Sequence, residues 1–264
     1  MPTIELPRIK QEAAQLAEYF HEPDLYLRGL VRLLQNYAMP AHRQGRISGM
    51  RPVLTSYEVP PPLLKQLQLE LAEQAKQSPQ AALAVADGLW ERRTMETRQL
   101  AARLLGAIEA EPKQIATRLE LWAQENREPT LATELEQQGT TTLCARSPEE
   151  LVAFARRLLD SKELRKQRLA LGALQTLMSS PGFTNLPLLF ALLSTLCKAP
   201  DRKLRPILAD LLLGLAQRSP KETEYFLKQC LESGPSPNFE WIARQVLKVL
   251  PEDSQARLRA VLKT

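Results

Sequence analysis

The chain has 264 residues, 44% of them hydrophobic and 25% charged, and its 35 basic and 30 acidic side chains leave a net charge of +5. That much apolar material suits a folded chain with a sizeable core and excludes a disordered charged tail. Glycine and β-branched runs are scarce while Leu, Ala, Gln, Glu and Arg dominate, which excludes a sheet protein and predicts an all-α fold.

The first residues, "MPTIELPRIK", lack the apolar stretch of a secretory leader, so a cytoplasmic location is expected. Residues 1–55 form a divergent, less regular N-terminal region. The segment "AHRQGRISGMRPVLTSYEVPPP", with Gly45, Gly49 and a triple proline from Pro60, reads as a loop feeding a helix at Leu63. Apolar residues then recur at helical spacing in "LKQLQLELAEQA", "TRQLAARLLGAI", "ELVAFARRLL", "RLALGALQTLM", "LPLLFALLSTLC", "PILADLLLGLA", "TEYFLKQCL" and "FEWIARQVLKVL". The most apolar of these, Leu186 to Cys197, is too short to cross a bilayer.

Compact stop signals separate the runs, among them those beginning at Ser78, Glu111, Arg127, Ser147, Ser179, Lys198, Arg218, Ser233 and Leu250. Ser or Asp beside Pro is the chemistry of a helix start, because a side-chain oxygen caps free amides and Pro fits the first turn. Laying "KELRKQRLALGALQTL" over "RKLRPILADLLLGLAQ" matches Leu164 with Leu204, Arg165 with Arg205 and Leu171 with Leu211 at an offset of 40. A period near 40 with two helices per unit predicts an α-solenoid of HEAT-like helix pairs, one domain over residues 1–264.

Cys144, Cys197 and Cys230 are far apart and odd in number, and neither His21 nor His42 has a cysteine neighbour. This pattern predicts a reducing compartment, no metal site and no cofactor. Charge is unevenly spread: from Leu151 to Arg218 eleven cations face four carboxylates. Arg165 and Arg168, and likewise Arg202 and Arg205, are three apart and are expected to share a helix face. Lys166 and Lys203 lie beside them. Trp90, Trp122 and Trp241 all sit among apolar neighbours and are expected in the core.

Two stretches carry a resemblance. Val59, Pro62 and Leu64, then Leu89, Trp90 and Glu91, then Arg98 and Ala101 resemble the "GV-x-x-P-x-L-R", "LW-E" and "E-x-R-x-x-A" helices of the AlkD-like DNA glycosylases. Gln167, Arg168, Ala170 and Leu171 resemble that family's "W-x-Q-R-x-A-I" helix, with Arg165 in place of its Trp. The resemblance covers roughly Ser56 to Ser219. It implies a HEAT-like solenoid whose basic face holds duplex DNA, and for active members excision of positively charged alkylated purines by an Asp helped by Trp and Arg.

The chain departs from that pattern where chemistry is expected. The family's "W-D-x-V-D" element falls in "EPTLATELEQQG", with Pro129 at its Trp and Thr133 at its catalytic Asp. A one-residue gap brings Glu134 to the carboxylate position. The alternative is that Glu134 and Glu136 are surface charges of a short helix ending at Gly139. The later "K-A-I-G-W-x-L-R" helix meets Pro206, Asp210 and Leu213 where Lys, Trp and Arg are expected.

These readings predict a monomeric protein that binds duplex DNA without reading its sequence, acting on or sensing damaged or distorted DNA, with an eroded catalytic centre. Arg168 is expected at phosphate or beside a lesion, and Arg165, Lys166, Arg202, Lys203 and Arg205 on the backbone. Glu134 and Arg168 are the candidates for catalysis. An active alkylpurine glycosylase and a protein-binding scaffold are the alternatives.

Overall fold

Proline opens the helices of this chain. A computed structural model describes residues 6–39, 54–234 and 236–262, and within them Pro occupies the first or second position of ten α-helices. Its fixed φ suits the first turn, and its missing N–H would have been unpaired there anyway. The serines beside those prolines behave differently. Ser78, Ser147 and Ser219 sit at N-caps without accepting a side-chain bond, whereas Ser236 Oγ accepts from Phe239 N.

The all-α expectation holds. Apart from one isolated bridge between Thr55 and Thr94, the described residues form helices and their connections. They fall into two compact units, Met1–Leu143 and Cys144–Thr264.

In the first unit the helices are α1 (Leu6–Ala17), α2 (Pro23–Asn36), α3 (Pro61–Gln77), α4 (Pro79–Glu91), α5 (Met95–Leu105), α6 (Pro112–Glu125) and α7 (Pro129–Gln137), with α8 (Thr141–Arg146) lying across the boundary. Within the less regular N-terminal region lies a helix pair, which buries Ile9, Ala13 and Leu16 from α1 and Tyr26, Leu27 and Leu30 from α2. Helices α1, α3, α5 and α7 pack in succession as one layer, and α2 packs on α4 as a second. The α3 helix starts at Pro61, close to the expected entry at Leu63. Gly45 and Gly49 lie outside the described residues.

Gly106 explains how α7 closes onto α5. A Cβ there would stand 1.7 Å from the carbonyl oxygen of Gln138, so only glycine lets the two turns meet. Thr142 fastens the contact by donating from N and Oγ1 to Gly106 O, at 3.1 and 2.5 Å.

In the second unit the helices are α9 (Pro148–Leu159), α10 (Leu164–Ser179), α11 (Leu186–Lys198), α12 (Arg205–Arg218), α13 (Pro220–Glu232), α14 (Pro237–Val246) and α15 (Glu252–Leu262). A 3-10 turn, Arg202–Leu204, leads into α12. One layer is α10, α12 and α14; the other is α9, α11, α13 and α15. The repeat offset of 40 pairs Leu164, the first residue of α10, with Leu204, the residue just ahead of α12. The next helix of the layer starts at Pro237, so the period does not carry on unchanged.

Candidate nucleic-acid interface

Three helix starts share one end of the second unit. At the other end, Arg218 closes α12 by donating to Met178 O and, at 2.6 Å, to Phe183 O, so the C-termini of α10 and α12 are neighbours. Asn238, at the start of α14, donates from Nδ2 to Pro200 O at 3.0 Å, which ties α14 to the connection entering α12. The N-termini of α10, α12 and α14 therefore point the same way, and their exposed amides carry the positive ends of three dipoles.

The sequence places cations where this field disfavours them. Arg165 and Lys166 occupy the first turn of α10 and Arg168 the second; Arg202 and Lys203 lie in the 3-10 turn, and Arg205 opens α12. Neither α10 nor α12 has an acidic residue in its first turn. Ordinary helices prefer the opposite arrangement, so these starts gain stability from an anion held against them. Nearby carboxylates relieve part of the charge: Glu163 pairs with Lys166 at 2.8 Å, and Asp201 Oδ1 accepts from Lys203 N at 2.7 Å.

The six residues do not form the regular ladder that the offset predicts. Arg202 and Arg205 belong to different elements, a 3-10 turn and α12, rather than to one helix face. Arg165 is exposed, whereas Arg205 is half-buried. The Arg205 guanidinium lies over the indole of Trp241, 4.7 Å from the ring centroid, and its Nε is buried with no hydrogen-bond partner among the described residues. Trp241, expected in the core, is 38% exposed; Phe239, Ile242, Ala243 and Val246 fill the core instead, because the indole falls outside their stripe.

In the first unit the candidate carboxylate is already engaged. Arg103 on α5 donates from Nε and Nη2 to both oxygens of Glu134, at 2.9 Å each, and from Nη1 to Gln68 Oε1 at 2.6 Å. This cross-tie joins α3, α5 and α7, and with the burial of Glu136 it corrects the alternative that Glu134 and Glu136 are surface charges of a short helix ending at Gly139. Glu134 sits in the middle of α7, and Glu136 is buried at 4% exposure. Thr133 caps nothing catalytic; its hydroxyl donates to Pro129 O at 3.4 Å.

The residues that carried the resemblance in this unit are fold determinants. Glu96 Oε1 accepts from Ser56 Oγ at 2.6 Å and from Glu58 N at 2.8 Å, pinning the segment ahead of α3 although Glu58 has φ of +55°. Arg98 lies over Trp90 at 4.3 Å and donates to Trp90 O, while Trp90 stacks on Trp122 at 4.6 Å and donates from Nε1 to Glu125. Burial pulls the Arg98 guanidinium below the usual arginine range, and Glu125 opposes that shift. Trp90 and Trp122 are buried, as expected. Their mutual stacking is not legible in the sequence, since 32 residues separate them and only the folding of α4 against α6 brings them together. Beside them lies a cavity of about 650 Å³ lined in part by Asp87, Arg93, Arg118 and Leu121.

Among the described residues no helix is long and apolar enough to cross a membrane, and no group of three His, Cys, Asp or Glu side chains is placed to hold a metal. A family model described as DNA alkylation repair enzyme matches residues 30–250. The chain belongs to that family, and a DNA-repair-related function follows from the membership. Neither the curated proteins nor the solved structures gave a match to this chain.

Proposed function

We propose that this protein is a HEAT-like, AlkD-type member of its family that binds damaged or distorted duplex DNA without sequence preference and has weak or no glycosylase activity. The observation that carries the reading is the set of six cations on helix starts that lack the usual first-turn acids. Phosphates are attracted both by these cations and by the positive ends of the helix dipoles, and such contacts position a duplex without reading bases. The family model spans both compact units, which favours a single functional domain; the reading takes it to act as a monomer. No cofactor enters the reading.

Erosion of the catalytic centre is supported by Pro129 and Thr133 at the positions where the resemblance expects Trp and Asp, and by the commitment of Glu134 to Arg103. Cleavage of an N-glycosidic bond needs a carboxylate free to face developing positive charge on the sugar. The family description favours one alternative, an active enzyme on alkylated purines. Incubation of methylated duplex with excess protein separates the two: base release that disappears in Glu134→Gln supports the enzyme, and binding without release supports the proposal. Arg165→Ala combined with Arg168→Ala is expected to weaken binding equally across duplex sequences.

A further inference from the structure

The cavity beside Trp90 and Trp122 holds a buried charge that the fold uses only in part. Its walls are the end of α4, Arg93 in the connection that follows, Arg98 on α5 and one side of α6. Arg98 is only 6% exposed. Its Nε donates to Trp90 O at 3.1 Å and its guanidinium lies over the Trp90 indole, which accounts for its packing role. The two terminal nitrogens, Nη1 and Nη2, have no hydrogen-bond partner among the described residues. Buried donors are normally paired, so a guanidinium this deep with a free fork beside a cavity asks for an acceptor there.

A second cation stands beside the first. Arg93 N also donates to Trp90 O, at 3.4 Å, and Arg93 lines the same cavity. Its φ of +55° lies in the left-handed region, which a residue with a Cβ enters at a cost and which recurs at ligand sites. The Arg93 side chain is exposed and makes no ion pair among the described residues. The remaining charges leave these two unmatched. Arg118 is committed to Asp87 through Nε and Nη2, at 2.8 and 2.7 Å. Glu125 on α6 accepts from Trp90 Nε1 at 2.8 Å and forms no ion pair with either arginine. Glu91 is exposed at the end of α4.

Two unmatched cations suit a dianion. A phosphomonoester carries about −1.5 to −2 charges at neutral pH and three acceptor oxygens, and an arginine fork matches it with two parallel bonds. The carboxylates of Glu91 and Glu125 accept only, so they suit hydroxyl groups attached to that phosphate and repel a second acidic group. Leu121, 50% exposed, gives the α6 side an apolar wall for a flat ring. The volume of about 650 Å³ exceeds what bare phosphate fills and falls in the range of about 300–1,000 Å³ typical of small-molecule sites.

We propose that this cavity binds a free nucleoside monophosphate, its phosphate on Arg93 and Arg98, its sugar hydroxyls toward Glu125 and Glu91, and its base along Leu121. The site lies wholly within the first unit. It stands independently of the DNA-binding reading, whose cations are on helix starts of the second unit.

Isothermal titration calorimetry of the full chain with adenosine 5′-monophosphate is expected to show one site. Adenosine and inorganic phosphate are each expected to bind about tenfold more weakly or worse. Arg93→Ala is expected to weaken the nucleotide about tenfold while leaving the thermal midpoint of the unliganded protein unchanged, because the side chain is exposed. Arg98→Lys keeps the charge, removes the fork and is expected to lose at least as much. If that variant does not fold, Arg93→Ala decides the matter alone. Nucleotide binding retained when Arg165→Ala and Arg168→Ala are combined supports the site, and its loss there places the nucleotide on the second unit and overturns it. No heat of binding, equal affinity for adenosine and its monophosphate, or wild-type affinity in Arg93→Ala also overturns the proposal. A 5′-phosphorylated trinucleotide that binds as tightly as the mononucleotide overturns the assignment to a free nucleotide in favour of a strand end.

Discussion

The guanidinium of Arg205 covers one ring of Trp241, 4.7 Å from its centroid, at the same end of the second unit as Arg202 and Lys203. An exposed indole already paired with a cation is a ready stacking surface for a base that has left its duplex. Trp90 and Trp122 are buried, so fluorescence changes on binding report Trp241. Trp241→Ala is expected to remove most of the DNA-dependent quenching and to lower affinity for a duplex with an unpaired base by about fivefold or more, at the low end of base-stacking energies. Trp241→Phe is expected to retain the affinity. Equal affinities for wild type and Trp241→Ala would assign the indole a packing role.

Arg165 and Arg168 lie in the first two turns of α10 on one face. If each neutralises a phosphate, replacing both by Ala is expected to reduce the slope of log K against log salt by about 2, with the same loss on unrelated sequences. An unchanged slope would place both side chains away from the phosphates.

Glu134 is expected to act on stability before chemistry. Glu134→Gln breaks a two-pronged ion pair that spans α5 and α7, and is expected to cost about 1–2 kcal/mol in urea unfolding. Replacing Arg103 by Met in addition should cost less than the sum of the two single changes. Full additivity in that cycle would show that the pair contributes nothing.

Gly106→Ala tests the approach of α5 to the turn after α7. The added Cβ meets backbone rather than a flexible side chain, and a cost of about 2–4 kcal/mol is expected. A thermal midpoint equal to wild type would contradict the placement of Gln138.

Glu224 on α13 accepts from Arg257 Nε and Nη2 on α15 and from Ser254, at 2.5, 2.8 and 2.6 Å. The Arg257 bond holds its carboxyl well down, to about 2. Unfolded Glu titrates near about 4.3, so this tie contributes its full stability above that pH and loses it as pH falls toward 2. Glu224→Gln is expected to lower the thermal midpoint at pH 7 and to match wild type near pH 2. An equal deficit at both pH values would contradict an ionic origin.

Much of the fold was legible because it depends on local chemistry. Pro at helix starts and a 3.6-residue apolar period mark α3, α5 and α9 to α14 without any tertiary information. The pair α1 and α2 is less legible, because their stripes, Ile9 with Ala13 and Leu27 with Leu30, are short and are followed by a stretch rich in glycine and proline. The basic character of the α10 and α12 starts was readable from Arg165 to Arg205. Its interruption was not, because Arg205 turns toward Trp241, a residue 36 positions away. The same limit hid the partner of Glu134: Arg103 lies 31 residues earlier, and only the packing of α5 on α7 joins them. Trp241 was misplaced because apolar neighbours in sequence do not fix which side of a helix an indole takes.

The most direct test of DNA binding at the basic end is fluorescence anisotropy of a short duplex, intact or carrying an abasic-site analogue, titrated with the protein across a salt series. Neutralisation of about five phosphates predicts a slope of log K against log salt of about −4 to −5, with tighter binding to the abasic duplex. A flat salt response, with weak and equal affinity for the two duplexes, would contradict the account.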